Sequence, residues 1–278
     1  MKVCTMISSS ELLALTDVEK TLVIPLWARA EETNVGGLLD DHLSVQLIES
    51  IDISIFNFQQ LSPFIKNYLL TAIANRTIII DNMLNTIDGT GKTVLNFGCG
   101  LDTRYSRFAN KFDMWYDIDL DSVIEIRQKL ISEQDGYKML SGDITQNSVI
   151  PEQVSGDNFI VVCEGLLMYF TDSQVMSFFN KVINELRKGD IIFESLGSFA
   201  KIKVNPVIRG IGEKSKYKWA ANNIIKLEQE IPHFSHHNTT SIFDINKSRW
   251  GIMGKAMSIN YLNKRVASKI SRFSYEHN

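Results

Sequence analysis

The stretch Val94-Leu95-Asn96-Phe97-Gly98-Cys99-Gly100-Leu101-Asp102-Thr103-Arg104 is the part of the sequence that decides the fold. Its first four residues suit a buried strand, the two glycines permit a tight turn, and Asp102 and Thr103 are typical of a helix start. A strand, a Gly-x-Gly turn and a helix form the first unit of a nucleotide-binding α/β sheet, whose ligand lies at the carboxyl end of the strand. The stretch therefore predicts an α/β fold with a ligand-binding turn at Gly98 and Gly100.

The same turn departs from two phosphate-binding patterns. The dinucleotide pattern requires a third small residue where this chain has Thr103, and the P-loop pattern requires a lysine where it has Asp102. An aspartate beside the turn would repel a phosphate, because like charges repel. A nucleoside ligand with positive charge and no phosphate fits better, and S-adenosylmethionine is such a ligand. A dehydrogenase that uses a nicotinamide cofactor is the disfavoured alternative.

Length and composition limit the class of protein. A chain of 278 residues can bury a sizeable core, and we expect one domain: a helical N-terminal lid at 1–90, a donor-binding core at 91–200, and an acceptor-side cap and C-terminal region at 201–278. The net charge of −3 gives no reason to expect nucleic acid or an anionic membrane as a partner. The sequence has no stretch that resembles a membrane span or a signal peptide, so we expect a cytoplasmic protein.

Cysteine usage excludes a disulfide framework and a zinc site. Cys4, Cys99 and Cys163 are too few and too scattered for either, and no metal is expected. Cys99 and Cys163 each lie beside a predicted strand end, where a small apolar residue packs well. A catalytic thiol at either position is the alternative.

Short apolar runs alternate with amphipathic segments after residue 92. The predicted strands are 93–97, 112–118, 137–141, 158–163 and 190–195, and the predicted helices between them are 103–109, 122–132 and 173–187. This alternation predicts a parallel sheet with right-handed crossovers. Residues 206–231 are predicted to be helical, as an inserted cap or an extra strand–helix unit, and the basic run 247–269 is predicted to be a solvated helix face.

The first two strand ends carry candidate ligand contacts. Gly98 and Gly100 allow close approach of a ligand and offer carbonyl groups to an ammonium. Asp119 follows the turn by about twenty residues, as in nucleotide-binding units, and its carboxylate can accept hydrogen bonds from both ribose hydroxyls. Asp117 is the competing choice, and either acid could instead cap the helix that follows.

The next two strand ends also carry acids. Asp143 can accept a hydrogen bond from an adenine amino group while the N–H of Ile144 serves a ring nitrogen, or it is a solvated turn residue. Glu164 lies among apolar residues, and a buried carboxylate needs a partner. That partner is a sulfonium or ammonium group, or else a structural arginine such as Arg104 or Arg107.

These residues give the chain a resemblance to a known family. From about Glu11 to Arg249 it resembles the leucine carboxyl methyltransferase superfamily, in particular the bacterial polyketide O-methyltransferase branch of the tetracenomycin type. The matching segments are 20–30, Arg76-Thr77 with Asp81, 96–104, 117–119, Gly142-Asp143 and 164–169. The Gly-x-Gly-x-Asp-Thr-Arg run is specific when it is combined with the later Glu-Gly-x-x-Met-Tyr motif.

The resemblance implies a class I methyltransferase fold, which is a Rossmann-like, mostly parallel sheet with helices on both faces, an N-terminal helical lid and a cap or insertion in the C-terminal half. It also implies S-adenosylmethionine as methyl donor and S-adenosylhomocysteine as product. The implied donor contacts are Arg76 to the methionine carboxylate, Gly98 to the ammonium end, Asp119 to the ribose, Asp143 and Ile144 to the adenine, Glu164 near the methionyl portion, and Thr21 in a segment that closes over the donor.

The resemblance points to oxygen as the methyl acceptor, on a small molecule. A carboxylate is the expected acceptor and needs no general base, because it is ionised at neutral pH, whereas a polyketide-type hydroxyl would benefit from one. The candidates for a catalytic role are His233, His236, His237 and Tyr169, and an exposed loop is the alternative for the histidines. Tyr217, Trp219, Phe234 and Trp250 line an aromatic acceptor pocket or belong to the core. A methyltransferase-like binding protein without catalysis remains an alternative.

Overall fold

The computed structural model describes residues 6–199, 217–221, 224–251, 254, 256, 263 and 265–276. Its strands are β1 (Thr93–Phe97), β2 (Met114–Asp119), β3 (Tyr137–Ser141), β4 (Phe159–Cys163), β5 (Lys188–Leu196), β6 (Phe234–Ser241) and β7 (Ser268–Glu276). They form one sheet in the order β3-β2-β1-β4-β5-β7-β6. The first five strands are parallel, and β7 lies antiparallel between β5 and β6.

Helices precede and connect these strands. They are α1 (Ser9–Ala14), α2 (Asp17–Lys20), α3 (Val23–Asn34), α4 (His42–Glu49), α5 (Pro63–Asn85), α6 (Tyr105–Phe108), α7 (Asp121–Leu130), α8 (Asp172–Leu186) and α9 (Leu227–Glu230). Local chemistry fixes several helix starts: Thr171 and Gln174 form a capping box at α8, and Ser62 caps α5 with Pro63 in its first turn. Among the described helices, none is long and apolar enough to cross a membrane.

Successive strand residues point to opposite faces of the sheet, and the central strands β1 and β4 are buried on both faces. Val94 packs in a core cluster with residues of α3 and α5, such as Ile80. Leu95, the next residue, packs in a second cluster with residues of α8, such as Phe178. The prediction of a mostly parallel sheet with helices on both faces is confirmed. The five predicted strands and three predicted helices each lie within two residues of the observed bounds.

The C-terminal part of the sequence was predicted less well. Its described residues supply β6 and β7 to the sheet, and α9 leads into β6 as part of an extra strand–helix unit. Within the predicted helical region 206–231, residues 206–216 and 222–223 lie outside the described residues. The solvated helix face predicted for 247–269 holds only in part: described residues such as Arg265 are helical, but Trp250 is buried and Lys269 is a buried residue of β7.

Candidate functional site

A cavity of about 470 Å³ opens at the carboxyl ends of the parallel strands. Every strand from β1 to β5 ends at this edge and contributes to it, as expected for a doubly wound sheet. The contributing strand-end residues are Gly98, Asp119, Asp143, Glu164 and Glu194. All eight residues that the sequence predicted as donor contacts line this cavity: Thr21, Arg76, Gly98, Gly100, Asp119, Asp143, Ile144 and Glu164.

The turn after β1 requires its glycines. Gly98 and Gly100 have φ values of +63° and +48°, which side chains rarely adopt. A Cβ on Gly98 would lie 2.7 Å from Cδ1 of Leu166, so the close approach also excludes a side chain. Arg127 donates to the carbonyl of Gly100 at 2.9 Å, and Arg29 to that of Leu101 at 2.8 Å. The carbonyl of Gly100 was expected to face an ammonium group of the ligand. It instead accepts a hydrogen bond from the buried Arg127.

The structure separates the two acids of β2. Asp117 is 1% exposed and accepts hydrogen bonds from Asn96, Trp115, Tyr137 and Arg127, so its carboxylate is fully engaged behind the turn. Neither acid caps α7, because the N-cap residue is Leu120 and no side chain caps that helix.

Asp119, by contrast, lines the cavity. It accepts hydrogen bonds from the N–H groups of Gly100, at 2.7 Å, and Leu120, at 2.8 Å. Burial raises the pKa of Asp119 to about 6, although these two N–H groups act in the opposite direction.

The loop after β3 places Asp143 and Ile144 at the cavity. Asp143 accepts from the backbone and hydroxyl of Thr145 with Oδ1, both at 2.8 Å. Its Oδ2 has a longer contact of 3.4 Å with Gln146. One oxygen therefore fixes the turn, and the other is held more weakly. Burial opposes ionisation of Asp143, but the contacts with Thr145 lower its pKa below the usual value.

Glu164 binds two arginines across the cavity floor. Its Oε1 accepts from Nε of Arg76 at 2.7 Å, and its Oε2 from Arg104 at 2.5 Å. Nη1 of Arg76 contacts Oε2 of Glu194 at 3.1 Å, which leaves Nη2 as the guanidinium nitrogen outside both contacts. Burial opposes ionisation of Glu164, but Arg76 and Arg104 lower its pKa below the usual value. The prediction of a structural arginine partner thus holds for Arg104, while Arg107 binds Asp81 instead.

These pairs belong to a longer series of contacts, which we call the ion-pair chain. It links four arginines with five carboxylates through contacts of 4 Å or less: Arg29, Arg76, Arg104 and Arg107 with Asp41, Asp81, Asp102, Glu164 and Glu194. Arg29, Arg76, Asp102, Glu164 and Glu194 also line the cavity. Most side chains of the ion-pair chain are buried. The charged groups on the cavity floor are therefore held in place by their ion-pair partners.

Residues from the N-terminal helices close one side of the cavity. The hydroxyl of Thr21 donates to the carbonyl of Val18 at 2.6 Å and lies 3.2 Å from the hydroxyl of Tyr169. Because the hydrogen of Thr21 is already used, Tyr169 is the donor in that second contact. Tyr169 also packs edge-on against Tyr217, with ring centroids 5.3 Å apart. Glu19 lines the cavity and accepts a hydrogen bond from Ser122 on α7.

The histidine cluster lies elsewhere. His236 and His237 are residues of β6, not of a loop, and His233 immediately precedes that strand. His236 is level with Phe273 of β7, and Phe273 with Ile191 near the start of β5, whereas the cavity is at the other end of the sheet. The structure therefore does not bring the three histidines to the cavity. No cluster of three or more metal-ligating side chains occurs among the described residues.

Burial decides the roles of two cysteines and of the aromatic candidates. Cys99 and Cys163 are free thiols, and burial raises the pKa of each well above its usual value, so neither acts as a thiolate nucleophile. Of the four aromatic residues considered for an acceptor pocket, Tyr217 lines the cavity. The remaining three, Trp219, Phe234 and Trp250, are buried in the core.

Sequence reasoning missed Glu194. This residue lies within the strand predicted at 190–195, where the apolar pattern assigns it to the sheet and not to a ligand. The rule applied to the preceding strands, that an acid at a carboxyl end faces the ligand, would have found it. Arg127 was missed because its role depends on contacts with the turn carbonyls, which no local pattern shows.

Comparisons with known proteins agree with this architecture. A model of the leucine carboxyl methyltransferase family matches residues 23–183. The tetracenomycin polyketide synthesis O-methyltransferase TcmP of Streptomyces glaucescens is 26% identical over 240 residues, which are 84% of this chain and 86% of that protein. The S-adenosyl-L-methionine-dependent methyltransferase dpfgK of Gibberella zeae is 27% identical over 241 residues, which are 78% of this chain and 80% of that protein.

A solved structure supports the fold alone. The S-adenosylmethionine-dependent methyltransferase from Mesorhizobium loti has a TM-score of 0.52 at 13% identity, and the likeness covers 72% of this chain and 97% of that one. The family match is the stronger finding, since it spans more than half of the chain. The chain therefore belongs to the leucine carboxyl methyltransferase family and is an S-adenosylmethionine-dependent methyltransferase.

Proposed function

We propose that this methyltransferase acts on an oxygen atom of a small molecule, with the donor bound across the carboxyl ends of β1 to β4. The observation that carries the proposal is that one cavity joins the glycine turn to acids from three further strand ends: Asp119, Asp143 and Glu164. A donor with a ribose, an adenine and two positive groups offers a partner to each of them.

The proposed donor contacts use the side-chain atoms that are weakly engaged, or not engaged, in the hydrogen bonds described above. Asp119 accepts from the ribose hydroxyls, and Asp143 uses its weakly held Oδ2 for the adenine amino group beside Ile144. Glu164 and Arg76 flank the methionine portion, where Nη2 of Arg76 lies outside the two glutamate contacts. Gly98 lines the cavity without a side chain, and a Cβ there would displace Leu166, which lines the same cavity.

The acceptor would occupy the apolar remainder of the cavity. That part is lined by side chains from α5, from the segment after β4, from the end of β5 and from the segments that follow β6 and precede β7: Tyr68, Leu69, Ala72, Ile73, Met168, Phe170, Leu196, Ile242 and Val266. Such a lining suits a compact, largely apolar molecule and not a nucleic acid. The relative from Streptomyces glaucescens, an O-methyltransferase of polyketide synthesis, supports oxygen as the acceptor atom.

The protein's main task is alignment. S-adenosylmethionine supplies an activated methyl group, which leaves by in-line displacement. The residues around the cavity hold the acceptor oxygen in line and exclude water, and most of the rate enhancement comes from this positioning. Thr21, Leu22 and Tyr169 close the cavity over the reacting groups.

The test measures donor binding and transfer separately. Calorimetry should show that S-adenosylhomocysteine binds the purified protein much more tightly than NAD does. Incubation with S-adenosylmethionine carrying a labelled methyl group and a library of phenols and carboxylic acids should then give labelled products that are ethers or esters. Comparable affinity for NAD would contradict the donor assignment, and labelled amines in place of ethers or esters would contradict oxygen transfer. Donor binding without transfer to any compound would favour a non-catalytic binding protein.

A further inference from the structure

We infer that Tyr68 holds the methyl acceptor by donating a hydrogen bond from its phenolic hydroxyl to an oxygen atom of that molecule. The inference rests on the proposed function and adds an acceptor-binding residue to its site. It is carried by the position of Tyr68 in the cavity and by its hydroxyl, which makes no hydrogen bond with any residue that the structure describes.

One face of α5 reaches from the donor groups to the acceptor side of the cavity. Arg76, on this face, contacts Glu164 and Glu194. Tyr68 lies about two turns earlier, or roughly 12 Å along the axis at 1.5 Å per residue. The cavity-lining residues of the helix recur at the spacing of a single face: Tyr68, Leu69, Ala72, Ile73 and Arg76.

The strand order places Tyr68 beyond the proposed donor. The adenine, ribose and methionine contacts are assigned to the ends of β3, β2, β1 and β4, and β5 is the next strand in the sheet. Tyr68 lies close enough to Glu194 of β5 for the charge of that carboxylate to act on the phenol. Neighbouring strands are about 4.8 Å apart, so β5 is roughly 14 Å from β2, whose Asp119 is assigned to the ribose. Tyr68 is therefore on the acceptor side.

Aromatic packing holds the ring of Tyr68. The ring packs edge-on against Trp250, with centroids 5.8 Å apart, and Trp250 packs against Phe243 with centroids 4.4 Å apart. Trp250 and Phe243 are both buried. A side chain held in this way loses little further conformational freedom when a ligand binds its hydroxyl, so more of the hydrogen-bond energy contributes to affinity.

The hydroxyl of Tyr68 differs from those of the other two tyrosines that line the cavity. The hydroxyl of Tyr169 contacts that of Thr21 at 3.2 Å, and the hydroxyl of Tyr217 donates to Tyr169. Both of these hydroxyls are therefore engaged with other side chains. The Tyr68 hydroxyl has no such partner in the described part of the chain.

The nearby Glu194 already has its own hydrogen-bond donors. Arg76 and the N–H of Gly165 donate to its Oε2, at 3.1 and 2.9 Å, and the hydroxyl of Ser268 donates to its Oε1. Glu194 thus does not depend on Tyr68. The Tyr68 hydroxyl is left for a ligand, and an acceptor oxygen is the partner that the proposed reaction brings to this part of the cavity.

The charge state of Tyr68 suits a donor. Burial and the negative charge of Glu194 raise its pKa above the usual value, so the phenol keeps its hydrogen at neutral pH. Its O–H can donate to a carboxylate, carbonyl or hydroxyl oxygen. Because a hydrogen bond to an ionised oxygen is about twice as strong as one between neutral groups, Tyr68 should contribute most when the acceptor is a carboxylate.

A carboxylate acceptor also separates binding from transfer. One oxygen accepts the hydrogen bond from Tyr68, and the other forms a bond to the methyl carbon as the bond from that carbon to sulfur breaks. The electron pair of the broken bond stays on sulfur, and Tyr68 keeps its proton. The products are a methyl ester and S-adenosylhomocysteine.

Binding of simple oxygen compounds to the product-loaded protein tests the inference. Calorimetry in the presence of S-adenosylhomocysteine measures the affinity of four compounds: 2-naphthoate, 2-naphthol, decanoate and decanol. The variant Tyr68→Phe removes the hydroxyl and keeps the ring. It should bind a carboxylate about tenfold or more weakly than the parent protein does, and an alcohol about threefold or more weakly. Its affinity for S-adenosylhomocysteine should be unchanged.

Tyr275→Phe is the matched control. The hydroxyl of Tyr275 is also buried without a hydrogen-bond partner among the described residues, but Tyr275 does not line the cavity and pairs with Gly189 near the start of β5. Its loss should leave all affinities unchanged. Tyr68→Met is a second variant without the hydroxyl, for use if Tyr68→Phe does not fold.

Kinetics give an independent readout with labelled methyl donor. Tyr68 binds the acceptor equally before and during transfer, so Tyr68→Phe should raise KM for the acceptor and change kcat little. A fall in kcat with an unchanged KM would overturn the inference.

Three binding results would also overturn it. They are unchanged affinity for the four compounds in a folded variant, an equal loss of S-adenosylhomocysteine affinity, which would mean that the hydroxyl supports Glu194 and Arg76, and a parent protein that binds S-adenosylhomocysteine but none of the four compounds. A parent protein that does not bind S-adenosylhomocysteine would instead contradict the proposed function.

Discussion

Asp117 and Asp119 are two positions apart on β2, yet their surroundings give them different roles. Asp117 satisfies four donors behind the turn and is buried, whereas Asp119 stands at the strand end with its carboxylate on the cavity. Sequence spacing favoured Asp119 but could not exclude its neighbour. The number of internal donors around each carboxylate is what separates them.

Replacing Asp119 with Ala should weaken binding of S-adenosylhomocysteine by about 2–4 kcal/mol, because hydrogen bonds to a charged group each contribute roughly 1.5–3 kcal/mol and are not additive. Calorimetry measures this directly. Asp121→Ala, at an exposed position in the first turn of α7, should leave the affinity unchanged. Unchanged affinity in the Asp119 variant would remove this residue from the donor site.

Donor affinity should fall on acidification. The ribose hydroxyls donate to the ionised carboxylate, and the pKa of Asp119 is about 6, so affinity should drop about tenfold between pH 7 and about pH 5. Asp119→Asn should flatten this dependence.

In the free protein the raised pKa of Asp119 has the opposite effect on stability. The folded carboxyl holds its proton more tightly than the unfolded one, so this group contributes stability at low pH that is lost as the pH rises through about 6.

Arg76→Lys should be nearly as damaging to donor binding as Arg76→Ala. The guanidinium uses Nε for Glu164 and Nη1 for Glu194, and one ammonium cannot hold both glutamates and also reach the donor in that planar arrangement. Titration of S-adenosylhomocysteine into each variant is the measurement. Lys66→Ala lies on the same helix outside the cavity and is the control. Full affinity in the lysine variant would mean that positive charge alone is sufficient.

At the scale of elements, the turn between β1 and α6 shows how backbone and side-chain constraints combine. Its glycines have left-handed conformations, and Leu22 from the N-terminal segment lies 3.3 Å from the position of a Cβ on Gly100. The same turn is held from behind by arginines from α3 and α7. A local motif thus becomes rigid through elements that are distant in sequence.

Gly98→Ala should reduce both stability and donor affinity. A Cβ there would clash with Leu166 at 2.7 Å and would also force a side chain into a left-handed conformation. Gly91→Ala is the matched control, because its φ of +69° carries the same strain but nothing lies within 4 Å. That control should lose about 1–2 kcal/mol of stability and keep its donor affinity. Urea unfolding and calorimetry separate the two effects, and equal affinity loss in both variants would refute the steric explanation.

At the scale of the whole molecule, buried ion pairs connect the sheet with the helices. Arg127 of α7 contacts Asp117 of β2 and also donates to the carbonyls of Gly100 and Asp102. Both partners of this pair are 1% exposed. Removing one partner would leave a charge without compensation in the interior.

Arg127→Met should therefore lower the free energy of unfolding by about 3–5 kcal/mol, as for other broken buried pairs. The double variant Asp117→Asn with Arg127→Met should lose less than the sum of the single changes, because no unpaired charge remains. Lys129→Met on the same helix removes an exposed pair with Glu11 and should leave unfolding nearly unchanged. Urea unfolding of the parent protein, the two single variants, the double variant and Lys129→Met tests this, and strict additivity would argue against coupling.

Much of the donor side could be predicted from the sequence, because its signals are local. The alternation of apolar runs predicted the five parallel strands, and the two glycines predicted the turn. Since parallel strands end at one edge, acids after each strand had to lie near one another. The cavity does contain Asp119, Asp143 and Glu164.

The partners of the buried charges and the position of the histidines depended on tertiary structure. Glu194 meets Arg76 across 118 residues of chain, and Glu164 meets it across 88. The histidines lie away from the cavity because His236 and His237 belong to β6 and His233 directly precedes it. β6 pairs with β7, the strand near the end of the chain. Periodicity reports which face of an element is buried, but the partner of a buried charge depends on groups that only folding brings within hydrogen-bond distance.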